Sequence, residues 1–261
     1  MQTLNDSKNE QTSRCFGKIK RAATCRTKPT LCSTFAFART HILHSKKIKK
    51  MEVRDLFGNI IPSLTIDKTK SGLTKIENGE YLFYPDFFSK AESDKYLQTM
   101  KENIEWKQES MNMYGKQVLF PRLTAWYGDN NKPYSFSGIT LNPNFWTDEL
   151  SEIKNKIEPI AQTKFNSVLL NRYRSGNDSI SWHTDAEKEL GINPIIASVN
   201  FGATRKFQLR HIKTKEKIEI ELTHGSLLIM QGELQHFWQH QVPKTSKFVG
   251  ERINLTFRTI L

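Results

Sequence analysis

Apolar and polar positions change rhythm along the chain. Between Ser89 and about Ile104, the apolar residues Leu97, Met100 and Ile104 follow one face of a 3.6-residue period. Ser89 and Glu92 stand three apart at its start, a capping box, so a helix is predicted there. A second helix is predicted from Thr147 to about Phe165, where Leu150, Ile153, Ile157, Ile160 and Ala161 recur at helical spacing and leave one face to pack against something larger. From Phe165 onward the period shortens. Strands are predicted at Ser167 to Tyr173, Ser179 to Trp182, Ile195 to Phe201, Lys206 to His211, Lys217 to Leu222, Ser226 to Met230, Phe237 to Gln241 and Ile253 to Ile260, broken by turn residues such as Ser175-Gly176-Asn177-Asp178 and His224-Gly225. Short strands in succession without helices between them exclude a doubly wound α/β fold. The pattern predicts a mainly β protein with flanking helices, its core a double-stranded β-helix (jelly roll) buttressed by the two helices from outside.

Charge divides the chain. The formal net charge is +12, but residues 1–50 hold 12 Lys and Arg against Asp6 and Glu10, a net of +10. The 27 basic and 25 acidic residues from Met51 onward leave a body near neutrality at +2. Residues 1–50 show no sustained periodicity and read as a basic, disordered extension; a nucleic-acid arm, a targeting peptide and a true start at Met51 are the alternatives. Residues 51–261 read as one domain. Cys15, Cys25 and Cys32 all lie in the extension and lack the close pairing of a structural zinc site. A cysteine-free body suits a reducing, intracellular setting, cytoplasmic in a prokaryote or nuclear in a eukaryote. Mean hydropathy is −0.57, and no stretch approaches the roughly 18 apolar residues of a membrane-spanning helix, so no membrane partner is expected.

The chemistry concentrates in the strand region. His183 and Asp185 in Ser181-Trp182-His183-Thr184-Asp185 are two apart, so on an extended chain both side chains project to the same side and can share one metal ion. The third ligand has to come from His211, His224, His236 or His240. Two histidines and a carboxylate on one octahedral face are the ligand set of non-haem Fe(II) oxygenases, which leaves positions open for co-substrate and oxygen. Arg252 and Arg258 are six apart, an even spacing that puts both guanidinium groups on one strand face in an otherwise apolar strand. A bound dicarboxylate would match them through charge-assisted paired hydrogen bonds. Asn171 and Tyr173 share a face and add neutral donors, while Arg172 points the other way.

Taken together, Asn171-x-Tyr173, His183-x-Asp185, His236-x-Trp238-x-His240-x-x-Pro243 and Arg252-x₅-Arg258 resemble, in order and spacing, the AlkB family of Fe(II)/2-oxoglutarate-dependent nucleic-acid dealkylases. The resemblance covers roughly residues 80 to 261. It implies iron ligands, and with them the catalytic centre, at His183, Asp185 and His240, the last because it precedes x-x-Pro; His236 falls to a supporting or substrate-side role. It assigns Asn171, Tyr173, Arg252 and Arg258 to 2-oxoglutarate, with Thr256 on the same face. The implied reaction oxidises an N-alkyl group with Fe(II), 2-oxoglutarate and oxygen, yielding succinate, carbon dioxide, an aldehyde and the restored base.

The resemblance also implies how a base is held. A stacked base cannot reach a buried iron, so it must be flipped out or already be single-stranded. Tyr134 and Phe136 resemble the aromatic floor of the base pocket in the DNA-repair branch. Glu187 matches a position that contacts the exocyclic nitrogen of the damaged base. Tyr114, at the tip of a hairpin predicted between Lys107 and Pro121, resembles the wedge that fills the gap left by a flipped base. Trp182 and Arg122 complete the expected substrate contacts. Arg205, Lys206, Arg210, Lys213, Lys215 and Lys217 on one hairpin, with Arg122, Lys244 and Lys247 beside the pocket motifs, are expected to meet phosphates. The reading is thus a monomeric DNA-repair dioxygenase for bases such as 1-methyladenine and 3-methylcytosine. RNA demethylation is the alternative within the family; a catalytically silent nucleic-acid-binding jelly roll and a closed zinc site are the alternatives outside it.

Overall fold

The computed structural model describes residues 71–112, 115–129 and 143–261 in full; residue 113 and the strands Val53–Arg54, Ile60–Ile61, Ser63–Thr65, Tyr134–Phe136 and Ile139–Leu141 are described by backbone alone. Residues 1–50 lie outside the described residues. Two helices form where the periodicity predicts them. The first, α1 (Lys90–Asn103), starts at the Ser89 cap, whose side chain and that of Glu92 satisfy each other's backbone amides. The second, α2 (Asp148–Ala161), starts at Thr147, whose hydroxyl accepts from the Leu150 amide. It ends four residues before the predicted Phe165, because Gln162 turns left-handed at φ 52° and the Glu158 carboxylate folds back to accept from the Phe165 amide.

Two sheets face each other. The larger has seven strands in the order Gly72–Ile76, Gly79–Tyr84, Ser226–Gln231, Ile196–Gly202, Arg252–Arg258, Ser167–Tyr173 and Leu123–Gly128, antiparallel throughout. The smaller has five, in the order Ile180–His183, Trp238–Val242, Arg205–His211, Lys217–Leu222 and Ser63–Thr65, the last pairing parallel. From Ser167 on the chain passes back and forth between the sheets, which is the double-stranded β-helix the pattern predicts. A short helix, Leu234–Phe237, and a 3₁₀ turn, Lys188–Leu190, interrupt the predicted run of strands. The strands Gly72–Ile76, Gly79–Tyr84 and Leu123–Gly128 extend the larger sheet beyond the prediction.

Alternation along the strands divides the core in two. Ile253, Leu255 and Phe257 face the helices and join Leu150, Ile153 and Ile157 of α2 and Tyr96 and Met100 of α1 in one buried cluster. The three α2 residues are fully buried, each worth roughly 1.5–3 kcal/mol on removal from water. The opposite faces of the same strands look toward the smaller sheet, where Tyr81, Phe207, Leu209, Ile220, Leu228 and Trp238 form a second cluster. Arg252, Asn254, Thr256 and Arg258 project into that inter-sheet space beside this cluster, so the polar site sits in an apolar sandwich. Gly202 lets the strands close tightly at the Arg252 end: its φ is +91°, and a Cβ there would stand 2.3 Å from the Glu251 carbonyl oxygen. Among the described residues no helix is long and apolar enough to cross a membrane.

Candidate active site

His183 and His240 meet because their strands are neighbours in the smaller sheet, with the two residues directly opposite each other and their rings 4.1 Å apart. Asp185 follows in the loop beyond the first of these strands. His183 Nε2 lies 3.9 Å from Asp185 Oδ1, and His240 Nε2 lies 3.9 Å from Asp185 Oδ2. One ligand atom from each of the three falls within 4.8 Å of the others. The Ser181 carbonyl can only accept, so His183 Nδ1 donates the 2.8 Å contact and Nε2 is the ring nitrogen turned toward Asp185. Burial, with His183 nearby, pushes His240 down to about 3, so its imidazole is neutral. Burial alone would raise the Asp185 carboxyl, but Arg258, 2.9 Å away, and the two histidines override it and hold the group well below the usual carboxylate range. Two imidazole nitrogens and one carboxylate suit a divalent metal.

Behind this triad, a pocket between the sheets is lined by Asn171, Tyr173, Arg252, Asn254, Thr256 and Arg258 along with the three candidate ligands. All the residues predicted for the keto acid therefore converge. Arg258 and Arg252 stand at opposite ends of the strand, Arg258 on Asp185 and Arg252 beside the Tyr173 ring at 4.9 Å. Arg252 is buried; its Nη2 donates to Asn200 Oδ1 at 2.5 Å, while Nε and Nη1 have no hydrogen-bond partner. Burial lowers its guanidinium to about 10, which leaves it charged at neutral pH. A buried cation with two unused donors fits the far carboxylate of a dicarboxylic acid. The Thr256 hydroxyl donates to Asn254 Oδ1 at 3.1 Å, so Thr256 reaches the pocket as part of an amide network.

On the outer side of His183 an open cleft of about 470 Å³ runs past Phe120, Arg122, Trp182, Glu187 and Lys244, a size ordinary for ligand clefts. Ile180 and His183 line both this cleft and the inner pocket, so the two meet at the triad. Glu187 Oε2 is buried without a hydrogen-bond partner, an open acceptor in the cleft. The Trp182 ring carries the Arg210 guanidinium 4.2 Å from its centroid, and Gln239 Oε1 accepts from Arg210 at 2.7 Å. Tyr114 lies outside the described residues, between the paired strands Ser110–Met113 and Lys116–Leu119. Tyr134 and Phe136 occupy an extended strand paired with Ile139–Leu141, and their side chains lie outside the described part.

Two expectations are corrected. Arg122 is 4% exposed and donates Nε to Asn171 Oδ1 at 2.6 Å, so it lines the cleft from within and does not face a phosphate backbone. Arg205 is likewise buried, spent on the carbonyls of Ser175, Asp178 and Pro243, while Lys206 stays exposed beside Glu219. His236 is exposed on the helix Leu234–Phe237. Its neighbour Gln235, missed in the sequence, is buried and accepts the Asp185 amide at 2.9 Å. Asn200 and Ser198 are also new: both sit opposite the arginine strand and hold its side chains. The even spacing of Asn254 between Arg252 and Thr256 was a readable signal; nothing in the sequence marks Gln235.

A double-stranded β-helix whose inner faces join two histidines and an aspartate beside buried arginines defines a non-haem iron oxygenase of the keto-acid-dependent kind. Comparison with known proteins agrees: the chain belongs to the 2OG-Fe(II) oxygenase superfamily, whose profile matches residues 80–258. It is 43% identical over 187 residues to the alpha-ketoglutarate-dependent dioxygenase alkB homolog 3 of Homo sapiens, covering 68% of this chain and 65% of that protein. It is 38% identical over 189 residues to the DNA oxidative demethylase ALKBH2 of Bos taurus, covering 68% of each. The chain thus spans somewhat less than two thirds of the human relative's length. A solved structure of OsALKBH1 aligns with a TM-score of 0.48 at 16% identity, over 69% of this chain and 97% of that one. The superfamily requires Fe(II) and 2-oxoglutarate, and the donor set around Asp185 and the two unused donors of Arg252 fit that pair.

Proposed function

We propose that this protein removes alkyl groups from ring nitrogens of bases such as 1-methyladenine and 3-methylcytosine in DNA, acting as a monomer. The observation that carries the reading is the shared wall: His183 borders both the buried, arginine-lined pocket and the open cleft. A keto acid on one side and a base on the other would both reach the same three ligands. The DNA specificity follows the name of the ALKBH2 relative.

His183, Asp185 and His240 would hold Fe(II), and Asn171, Tyr173, Arg252, Thr256 and Arg258 would hold 2-oxoglutarate. When bound, this pair with dioxygen supplies the oxidation that hydroxylates an N-alkyl carbon, after which the unstable product releases an aldehyde. The chain's own residues bind and orient. Arg258 keeps Asp185 ionised, the Ser181 carbonyl holds His183 Nδ1, and Gln235 pins the backbone of Asp185. Arg122 holds Asn171, fixing its amide toward the pocket. Glu187 Oε2 offers an acceptor for the exocyclic amino group of adenine or cytosine, and Trp182 an aromatic wall.

The test is formaldehyde release from methylated duplex DNA, single-stranded DNA and RNA. Release that needs both Fe(II) and 2-oxoglutarate, is greatest on DNA and vanishes in Asp185→Ala supports the proposal. Preference for RNA would transfer the activity to RNA demethylation, and binding without release would leave a silent binding module.

A further inference from the structure

Arg252 differs from the other arginines of the sheet in what holds it. Arg258 pairs with Asp185, Arg172 with Glu251 and Arg174 with Asp178. Among the described residues no carboxylate lies within ion-pairing distance of Arg252; it is held by neutral groups, the Tyr173 side chain and Asn200, the latter opposite Asn254 on the adjoining strand and 1% exposed. The Asn200 amide cannot turn over. Its Nδ2 donates to the Ser198 carbonyl and to Ser226 Oγ, both at 3.3 Å, and Asn254 Nδ2 donates to its Oδ1 at 3.2 Å. A flipped amide would set NH₂ against a guanidinium that has no acceptor. The Tyr173 ring sits 4.9 Å from Arg252 and 5.7 Å from Arg205, so this end of the pocket gathers positive charge with a phenol between.

We infer that Asn200 is the positioning residue that makes this pocket select a 2-oxo acid with a second, remote carboxylate: it aims Arg252 without neutralising it. The inference rests on the reading that the inner pocket takes 2-oxoglutarate. An acid at position 200 would satisfy Arg252 internally and compete with the ligand's carboxylate, since two anions would then share one guanidinium. A neutral acceptor fixes the fork and leaves its charge to the ligand.

The experiment is an anaerobic titration of the Fe(II)-loaded full chain, followed by tryptophan fluorescence, with 2-oxoglutarate and with 2-oxopentanoate. The latter keeps the keto-acid end and carries a methyl group in place of the remote carboxylate. In the wild type the diacid should bind about 100-fold more tightly, the worth of a paired charge-assisted contact. Asn200→Asp should reduce that ratio by about tenfold or more through the diacid alone. Asn200→Ser, a shorter neutral acceptor, should keep most of the ratio. Should Asn200→Asp not fold, Asn200→Leu serves: it removes the aim, and the ratio should again fall. An unchanged ratio in either variant overturns the inference. Equal binding of the two acids by the wild type overturns the reading of the pocket itself.

Discussion

Replacing Gln235 with leucine removes an amide but little volume, and the structure gives the consequence on both stability and metal binding. Gln235 is 2% exposed; its Oε1 accepts the Asp185 amide at 2.9 Å, and its Nε2 meets Met230 Sδ at 3.7 Å, a weak contact. Leucine would leave the Asp185 N–H buried and unpaired, which costs about 1–3 kcal/mol. Leucine against Met230 and the neighbouring core returns part of this, so the metal-free protein should lose roughly 1 kcal/mol. The larger effect is on the ligand. The Asp185 backbone would be freed at the point where its carboxylate must stand 3.9 Å from two imidazole nitrogens. Loss of a partner that orients a metal ligand typically lowers affinity about 10–100-fold. Anaerobic Fe(II) titration measures this directly, and the rise in melting temperature on metal addition should shrink in parallel. A variant that melts earlier but binds Fe(II) within about twofold of wild type would refute the role assigned to Gln235.

Further substitutions test other parts of the account. Arg258→Met strips Asp185 of the cation 2.9 Å away and leaves a buried carboxylate uncompensated. Denaturant unfolding of the metal-free protein should then show a loss of about 3–5 kcal/mol, and a loss below about 1 kcal/mol would deny the pairing its importance. Asp178 is lowered despite its burial by hydrogen bonds from Arg174. A depressed folded pKa means that its contribution is complete above the unfolded value near 3.9 and is lost as pH falls below it. Unfolding free energies of wild type and Asp178→Asn should therefore differ most at neutral pH and draw together as pH falls below the unfolded value near 3.9. Tyr114→Ala should impair duplex repair more than single-strand repair; equal loss rejects the wedge.

Much of the fold from Ser167 onward was readable because short apolar runs are bounded by turn residues. Ser167–Tyr173 and Lys217–Leu222 match their predicted ends. Gly79–Tyr84 and Leu123–Gly128 were not read as strands: they stand before that succession of strands and turns, and in the first, Tyr81 and Phe83 face the smaller sheet while Leu82 and Tyr84 pack toward the helices, so its sequence shows no apolar alternation. At the site, His183 with Asp185 and Arg252 with Arg258 were marked by their spacing, while the choice of His240 and the roles of Asn171 and Tyr173 came from the family resemblance. Residues that act through another residue, such as Asn200 through Arg252 and Gln235 through Asp185, depend on strand register and chain return, which spacing does not carry. Charge misled for the same reason. Arg122 and Arg205 count as basic in any sequence tally, yet both are buried and bonded to groups of the protein.

Everything turns on three side chains sharing one iron beside a keto-acid pocket. The direct measurement is the visible charge-transfer absorption that develops when Fe(II) and 2-oxoglutarate are added together, without oxygen, to the wild type and to Asp185→Ala and His240→Ala. The account predicts a band that saturates at one Fe(II) per chain, requires both additions and is abolished in each variant. A band of full strength in either variant, or none in the wild type, would contradict it.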